Sequence, residues 1–281
     1  MTVEAVLLGV AQDAGVPQLG CDCANCRAAR ADPATRQIAV SLGLVDHAAG
    51  ASWIIDATPD FGTQYDWLRA YAPDCPLQGI LLTHAHIGHY LGLAFLGREG
   101  MNAGGLRLYA TPDVCRFLSD NAPWSQLVKL RNVDLTEVVA DTPFSLSPAL
   151  SVTPIPVPHR AEFSDTVAYL VAGPTARLFY CPDIDGWERF RPDLAQFLAD
   201  VDMALLDGTF FSPAELPGRD LTQIPHPMVV DTVGRLGERS GQTVIIHLNH
   251  TNPLLRDSQE RAWLRAKGVG VGFLGMAWPL G

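Results

Sequence analysis

Thr83-His84-Ala85-His86-Ile87-Gly88-His89 is the stretch on which the reading of this chain turns. Residues 79–83 before it are a short apolar run that reads as a buried strand. His84 and His86 alternate in the chain that follows, so both rings can face one side. His89 comes three residues later, where a turn can return it beside them. Neutral imidazole is a common ligand for zinc, iron and manganese. Three imidazoles packed this closely behind a buried strand point to a metal site rather than to unrelated surface histidines.

Outward from this loop, other predicted strands also end on an acid or a histidine. Strands are read over residues 3–9, 38–45, 52–56, 106–110, 177–181, 203–206 and 243–248, with a last one over 269–273. Asp56, His84, Asp183, Asp207 and His247 stand at or just beyond such ends. Strand ends along one sheet edge are where α/β proteins assemble sites. Short β-rich runs at 132–139, 143–146, 150–157 and 167–171, separated by turn residues, predict antiparallel sheet. Helices are predicted over 61–71, 112–121, 228–238 and 258–267, and one opens in 89–96. Helices flanking two β-rich halves predict an α/β fold, an αββα sandwich in a single domain over 1–281.

Composition narrows the partners. The chain has 281 residues, is 48% hydrophobic and carries a formal charge of -10, so a large core is available and no basic footprint for nucleic acid or an anionic membrane exists. No stretch approaches the roughly 18 apolar residues needed to span a bilayer. The opening Met1-Thr2-Val3-Glu4 lacks a basic segment followed by an apolar run. The expectation is a soluble, cytoplasmic protein with a small-molecule or peptide substrate, no nucleic-acid or membrane partner, and a surface compatible with a homodimer. Of six cysteines, Cys75, Cys115 and Cys181 stand alone and read as small core residues. Cys21, Cys23 and Cys26 crowd into Cys-Asp-Cys-Ala-Asn-Cys, a spacing that suits one metal ion better than disulfides.

Other candidates lie far from the loop in sequence. His159 follows a strand in Pro156-Val157-Pro158-His159-Arg160, where two prolines stiffen the approach. Asp183 can complete or bridge a metal site, whereas Asp185 suits the N-cap of the following segment. Asp207 and Asp56 are positioned to orient ligand histidines. His226, in Ile224-Pro225-His226-Pro227, is a candidate for substrate binding or acid chemistry. His47 reads as plain surface.

These residues resemble the metallo-β-lactamase superfamily, whose hallmark is His-x-His-x-Asp-His with later His, Asp and His ligands. Within it the chain is similar to two families, pyrroloquinoline quinone biosynthesis protein B (PqqB) and the phosphodiesterase PhnP. Residues 8–18, with Cys21-x-Cys23-x-x-Cys26, resemble both. Val157-Pro158-His159-Arg160, Leu206-Asp207-Gly208-Thr209-Phe210 and His247-Leu248-Asn249-His250-Thr251-Asn252-Pro253 look more like PqqB. The resemblance implies that His84, His86 and His159 hold a first metal, Asp183 bridges, and His89 and His247 hold a second. It implies a structural zinc on Cys21, Cys23, Cys26 and His250, which the cysteine spacing also supports. It likens His226 to a histidine that contacts substrate phosphate. One position departs: Gly88 stands where dinuclear members carry an aspartate ligand.

The chemistry expected of such a site follows from its ligands. Catalytic Zn2+, Mn2+ or Fe2+ held by three neutral histidines and a carboxylate keeps a position for water and lowers its pKa towards about 7. The resulting hydroxide would attack an ester, lactone or phosphodiester. The same ligand type suits Fe(II) and dioxygen, which makes a PqqB-like oxygenase or hydroxylase in pyrroloquinoline quinone biosynthesis the alternative. A non-catalytic scaffold with a degraded site is a third reading, motivated by Gly88.

Overall fold

The computed structural model describes residues 3–190, 193–220 and 223–281. Residues 1–2, 191–192 and 221–222 fall within the predicted domain span and, for the first pair, the opening tetrapeptide; they lie outside the described residues.

In the first half, β1 (Val3–Gly9), α1 (Ala24–Ala31), β2 (Ser41–Asp46), β3 (Ala51–Ile55), α2 (Phe61–Tyr71) and β4 (Leu77–Leu81) are followed by α3 (Ile87–Tyr90), β5 (Leu106–Ala110), α4 (Pro112–Asp120), α5 (Trp124–Lys129) and β6 (Val133–Glu137). The second half contributes β7 (Phe144–Ser145), β8 (Ser151–Pro156), β9 (Val167–Ala172), β10 (Arg177–Cys181), α6 (Leu194–Phe197) and β11 (Met203–Asp207). It closes with α7 (Val229–Leu236), β12 (Thr243–Ile246), α8 (Gln259–Ala266), β13 (Gly270–Val271) and β14 (Ala277–Pro279). Two seven-stranded sheets result, ordered β14-β1-β2-β3-β4-β5-β6 and β13-β12-β11-β10-β9-β8-β7.

Alternation along each strand explains the layering. Leu7 faces the other sheet and Leu8 the helices; Trp53 and Ile55 face the other sheet and Ile54 the helices. In the second sheet Leu178 and Tyr180 point inward while Phe179 and Cys181 meet the outer helices, and Ile246 and Ile245 divide likewise. Strands buried on both faces read as continuous apolar runs, which is why these segments lack a polar face. The central layer joins Leu42, Leu44, Leu81, Tyr169, Leu205 and Ile246, and each outer layer has its own cluster, giving the expected αββα order.

Helices follow local rules. α2 buries Phe61, Gln64 and Leu68, one stripe at helical spacing. Ser258 Oγ accepts from Arg261 N at 3.0 Å and caps α8.

Some expectations need correction. β6 does not join the antiparallel group: it pairs parallel with β5 in the first sheet. Of the runs predicted to be antiparallel only β7, β8 and β9 pair that way, joined by β10, while in the first sheet β1 pairs antiparallel with β14 and β2, and β2 with β3. Alternation and turn residues mark a strand but carry no information on its partner, so the two cases looked alike. The run at 38–45 enters the sheet only at Ser41, because Ile38 O instead accepts from Val10 N and Ala11 N. The final predicted strand shrinks to β13, and β14, which pairs with β1, was not foreseen.

Both sheets contain a parallel set, β3-β4-β5-β6 and β10-β11-β12-β13, so the C-terminal ends of those strands lie on shared edges. Truncating Leu205, fully buried between the sheets, to alanine should cost about 2 to 5 kcal/mol. The same change at Val139, 63% exposed, should stay within about 0.5 kcal/mol. Thermal midpoints of the two variants check this, and equal midpoints would contradict the layering.

Candidate metal centre

The strand ends deliver the predicted residues to one place. Asp56 and His84 come from the ends of β3 and β4, His159 from the segment after β8, Asp183 from that after β10, Asp207 from β11 and His247 from β12. Asp56 and His247 hold left-handed backbone at φ 69° and 58°, an uncommon choice for non-glycine residues that costs energy and clusters at functional sites.

His84, His86, His159 and Asp183 present ligand atoms to a common point. His159 Nε2 lies 3.0 Å from His86 Nδ1 and 3.1 Å from Asp183 Oδ2, and His84 Nε2 lies 3.5 Å from the same oxygen. Ligands about 2.1 Å from a tetrahedral ion are about 3.4 Å apart, so these spacings match one cation. Asp183 Oδ2 is also 3.8 Å from His89 Nε2. The carboxylate therefore faces both ligand sets, as a bridging role requires. Asp13 Oδ1 stands 3.7 Å from His89 Nε2 and 3.9 Å from His247 Nε2.

Unsatisfied atoms separate ligands from supports. His84 Nε2, His89 Nε2, His247 Nε2 and Asp183 Oδ1 are buried without a hydrogen-bond partner. Buried polar atoms are nearly always paired, so four orphans in one cluster fit a cation. Asp207 also groups with Asp183, His226 and His247, but its oxygens are taken: Oδ1 accepts from Thr209 N at 2.8 Å and Thr209 Oγ1 at 2.7 Å, and Oδ2 accepts from Ile184 N at 3.1 Å. Oδ2 also holds His226 Nδ1 at 2.8 Å. Both oxygens of Asp207 are thus committed to hydrogen bonds, one of them holding the His226 ring.

The far ring nitrogen of each ligand histidine has its own partner. His89 Nδ1 donates to Asp56 Oδ2 at 2.8 Å and His159 Nδ1 to Asp185 Oδ1 at 2.9 Å. His84 Nδ1 meets Thr83 Oγ1 at 3.0 Å, and His247 Nδ1 meets Thr209 Oγ1 at 2.8 Å. His86 is reversed, with Nε2 2.8 Å from Glu162 Oε2 and Nδ1 turned to the cluster. Such contacts fix tautomer and ring orientation. Asp185 is therefore a histidine support and not the N-cap expected from sequence; Gly186 takes the cap position of the next turn. Thr83, Thr209 and Glu162 were also missed, since hydroxyls and surface acids at such positions carry no sequence signal. His226 is buried beside the cluster, its Nδ1 3.4 Å from Asp183 Oδ1. His47 lies outside the cluster, paired with Glu4 at 2.6 Å.

Electrostatics agree with ligation. Burial, reinforced by the neighbouring His89, holds His84 well below its ordinary pKa, so its lone pair is free at neutral pH. Burial alone would raise Asp183, but the imidazoles of His159 and His226 outweigh it and hold the carboxyl well below the usual range. For Asp207 the same opposition, burial against His226, ends at about 2. His247 goes the other way: burial lowers it, yet Asp13 and Asp207 raise it well above the ordinary value. A cation would displace that proton on binding.

The second cluster sits where the cysteine spacing places it. Cys21, Cys23 and Cys26 Sγ lie 3.4, 3.5 and 3.7 Å from His250 Nδ1. A tetrahedral zinc with these donors has sulfur–nitrogen edges of about 3.6 Å. Cys23 forms the N-cap of α1, a helix the sequence reading overlooked, and Asn25 Nδ2 donates to His250 O and Asn252 O, each at 3.0 Å.

A metal-binding αββα protein with these strand-end ligands defines a class, and the comparisons agree: residues 53–248 match the model of the Beta-lactamase superfamily domain, and the chain belongs to that superfamily. Among its relatives is coenzyme PQQ synthesis protein B of Azotobacter vinelandii, 31% identical over 96% of this chain and 97% of its own. The protein of the same name from Methylorubrum populi is 29% identical over 99% of this chain and 100% of its own. The crystal structure of Zn2+-bound PqqB from Methylobacterium extorquens superposes with a TM-score of 0.82 at 25% identity, covering 99% of this chain and 100% of that one. A diphosphatase of the PhnP family shares the fold at TM-score 0.72 and 23% identity, covering 99% and 97%. The chain is thus PqqB-like along its length. No helix among the described residues is long and apolar enough to cross a membrane.

Two outcomes test the centres. Asp185→Ala should lower metal affinity at the His84, His86 and His159 group by roughly 10- to 100-fold, read by competition with a chelating dye; unchanged affinity would remove Asp185 as a support. Thiol alkylation should be negligible in the zinc-loaded chain and, after chelation, should begin at the partly exposed Cys21 and Cys23, ahead of Cys26, whose buried thiol is pushed up to about 12. Burial keeps Cys75, Cys115 and Cys181 protonated, Cys115 pushed up to about 11. Labelling of the isolated cysteines first would contradict this assignment.

Proposed function

We propose that the chain is a metal-dependent hydrolase acting on an ester, lactone or phosphodiester. The observation that carries this reading is the set of buried ligand atoms, His84 Nε2, His89 Nε2, His247 Nε2 and Asp183 Oδ1, that lie in the two adjoining groups without a hydrogen-bond partner. Zn2+, Mn2+ or Fe2+ bound there supplies a Lewis acid that brings the pKa of water to about 7. His84, His86 and His159 are held in fixed tautomers and cost no reorganisation during reaction. Asp207 anchors His226 Nδ1 at 2.8 Å, which fixes the orientation of a ring placed beside the cluster as the candidate proton donor to a departing group.

The surroundings suit a small molecule or peptide. A cavity of about 340 Å³ opens beside Asp13, lined also by Gln12, Phe210, Arg219 and Asn249. Its size fits a small ligand, and Arg219 supplies a cation for a phosphate or carboxylate. Ile87 and Phe163, each 61% exposed, flank the His86–Glu162 pair and offer apolar contact. The Cys3His cluster is assigned a structural zinc, since four protein donors leave no open position.

Purified chain loaded with zinc or manganese should cleave a generic phosphodiester or a lactone, and His86→Ala should lose at least about 100-fold of that rate. Equal turnover by the two proteins would overturn the reading. Similarity to coenzyme PQQ synthesis protein B over nearly all of both chains favours a second reading, an iron-dependent oxygenase or hydroxylase in pyrroloquinoline quinone biosynthesis. Oxygen uptake by the Fe(II) form with a tyrosine-containing peptide, in the absence of hydrolysis, would select it.

A further inference from the structure

Gly88 removes the aspartate that a second metal ion would use, yet the space beside it is filled. A Cβ built on Gly88 would lie 2.0 Å from Asp13 Oδ1, 2.6 Å from its Cγ and 2.7 Å from its Cα. We propose that Asp13 is itself a ligand of the second ion, supplied by the loop after β1 in exchange for a side chain at position 88. The assignment rests on reading the histidine cluster as a metal centre, and it holds whichever reaction that centre performs.

Distances support ligation over hydrogen bonding. Asp13 Oδ1 is 3.7 Å from His89 Nε2 and 3.9 Å from His247 Nε2, beyond hydrogen-bond length. Two donors each about 2.1 Å from one cation stand about 3 Å apart when adjacent and about 4.2 Å apart when opposite, so both separations fit a shared ion. The two nitrogens are buried and have no other partner. Without Asp13 the second ion would rest on two neutral imidazoles and one carboxylate shared with the first ion. With it, a dication gains an anionic ligand of its own.

The loop is built to hold this carboxylate in place. Leu248 N donates to Val10 O at 2.8 Å and Gln12 N to Leu248 O at 2.9 Å, tying residues beside Asp13 to the residue after His247. Gly15 N closes a turn onto Gln12 O at 2.9 Å. Asp13 has φ 28°, a conformation that aspartate tolerates better than most residues. Its side chain is 43% exposed and lines the 340 Å³ cavity, which puts the second ion on the open side of the centre.

The two positions make a reciprocal pair, and a swap tests it. The chain is stripped with a chelator, reloaded with zinc and counted by mass spectrometry of the metal. The expected content is three ions per chain for the unaltered protein and two for Asp13→Gly, with the cysteine ion and the His84, His86 and His159 ion retained. The double variant Asp13→Gly with Gly88→Asp should regain the third ion, because glycine frees the space and adopts the loop conformation. Gly88→Asp alone, whose new side chain meets Asp13, should lower the thermal midpoint. Three ions in Asp13→Gly at unchanged affinity, or only two in the unaltered chain, would overturn the assignment. A chain that holds three ions but hydrolyses nothing would remove the proposed function and leave Asp13 a ligand.

Discussion

Imidazole nitrogens and a carboxylate turned into the protein, with no hydrogen-bond partner of the chain's own, set the terms for the rest of the structure. Leaving one buried polar atom unpaired costs about 1 to 3 kcal/mol. Four of them at this centre would together rival the roughly 5 to 15 kcal/mol by which a domain is stable. Cations at the two adjoining groups would answer all four, so their binding energy is also folding energy. Electrostatics push the same way: His84 is kept neutral by burial while Asp183 is kept ionised by the rings around it.

The cluster would not hold its shape without the acceptors behind it. Asp56, Asp185, Glu162, Thr83 and Thr209 each take the far nitrogen of one ring. Thr209 passes the restraint on to Asp207, which also fixes His226. These acceptors stand on or just past the same strand ends as the ligands, so parallel strand registers set ring orientation as well as ring position. Left-handed backbone at Asp56 and His247 lets the chain leave its strand while pointing the side chain inward.

The two metal clusters are mechanically joined. His247 and His250 lie on one loop, and Asp13, Cys21 and Cys23 lie on another that runs into α1, which carries Cys26. Backbone bonds at Leu248 and side-chain bonds from Asn25 to His250 O and Asn252 O lace the loops together. An ion on the cysteines would therefore restrain both loops at a distance from the reaction, acting as a staple where the chain has few hydrophobic contacts of its own. Ala11, Val16, Cys26 and Ala29 form the small cluster beneath it.

Much of this was legible in the residues because the relevant chemistry is local or periodic. Short β-rich runs marked most strands, the segment over 61–71 read as the helix that became α2, and the crowding of His84, His86 and His89 marked the centre. Histidine and clustered cysteine are rare enough that position alone is informative. What only the tertiary structure decided depends on distance between segments remote in sequence. The parallel pairing of β6, the service of Asp185 and Glu162 as ring supports, and the carboxylate of Asp13 in the space beside Gly88 are all of this kind. An aspartate in a glycine-flanked turn looks the same whether it caps a loop or faces a cation, because its meaning is set by what lies across a few ångströms of space and not by its neighbours along the chain.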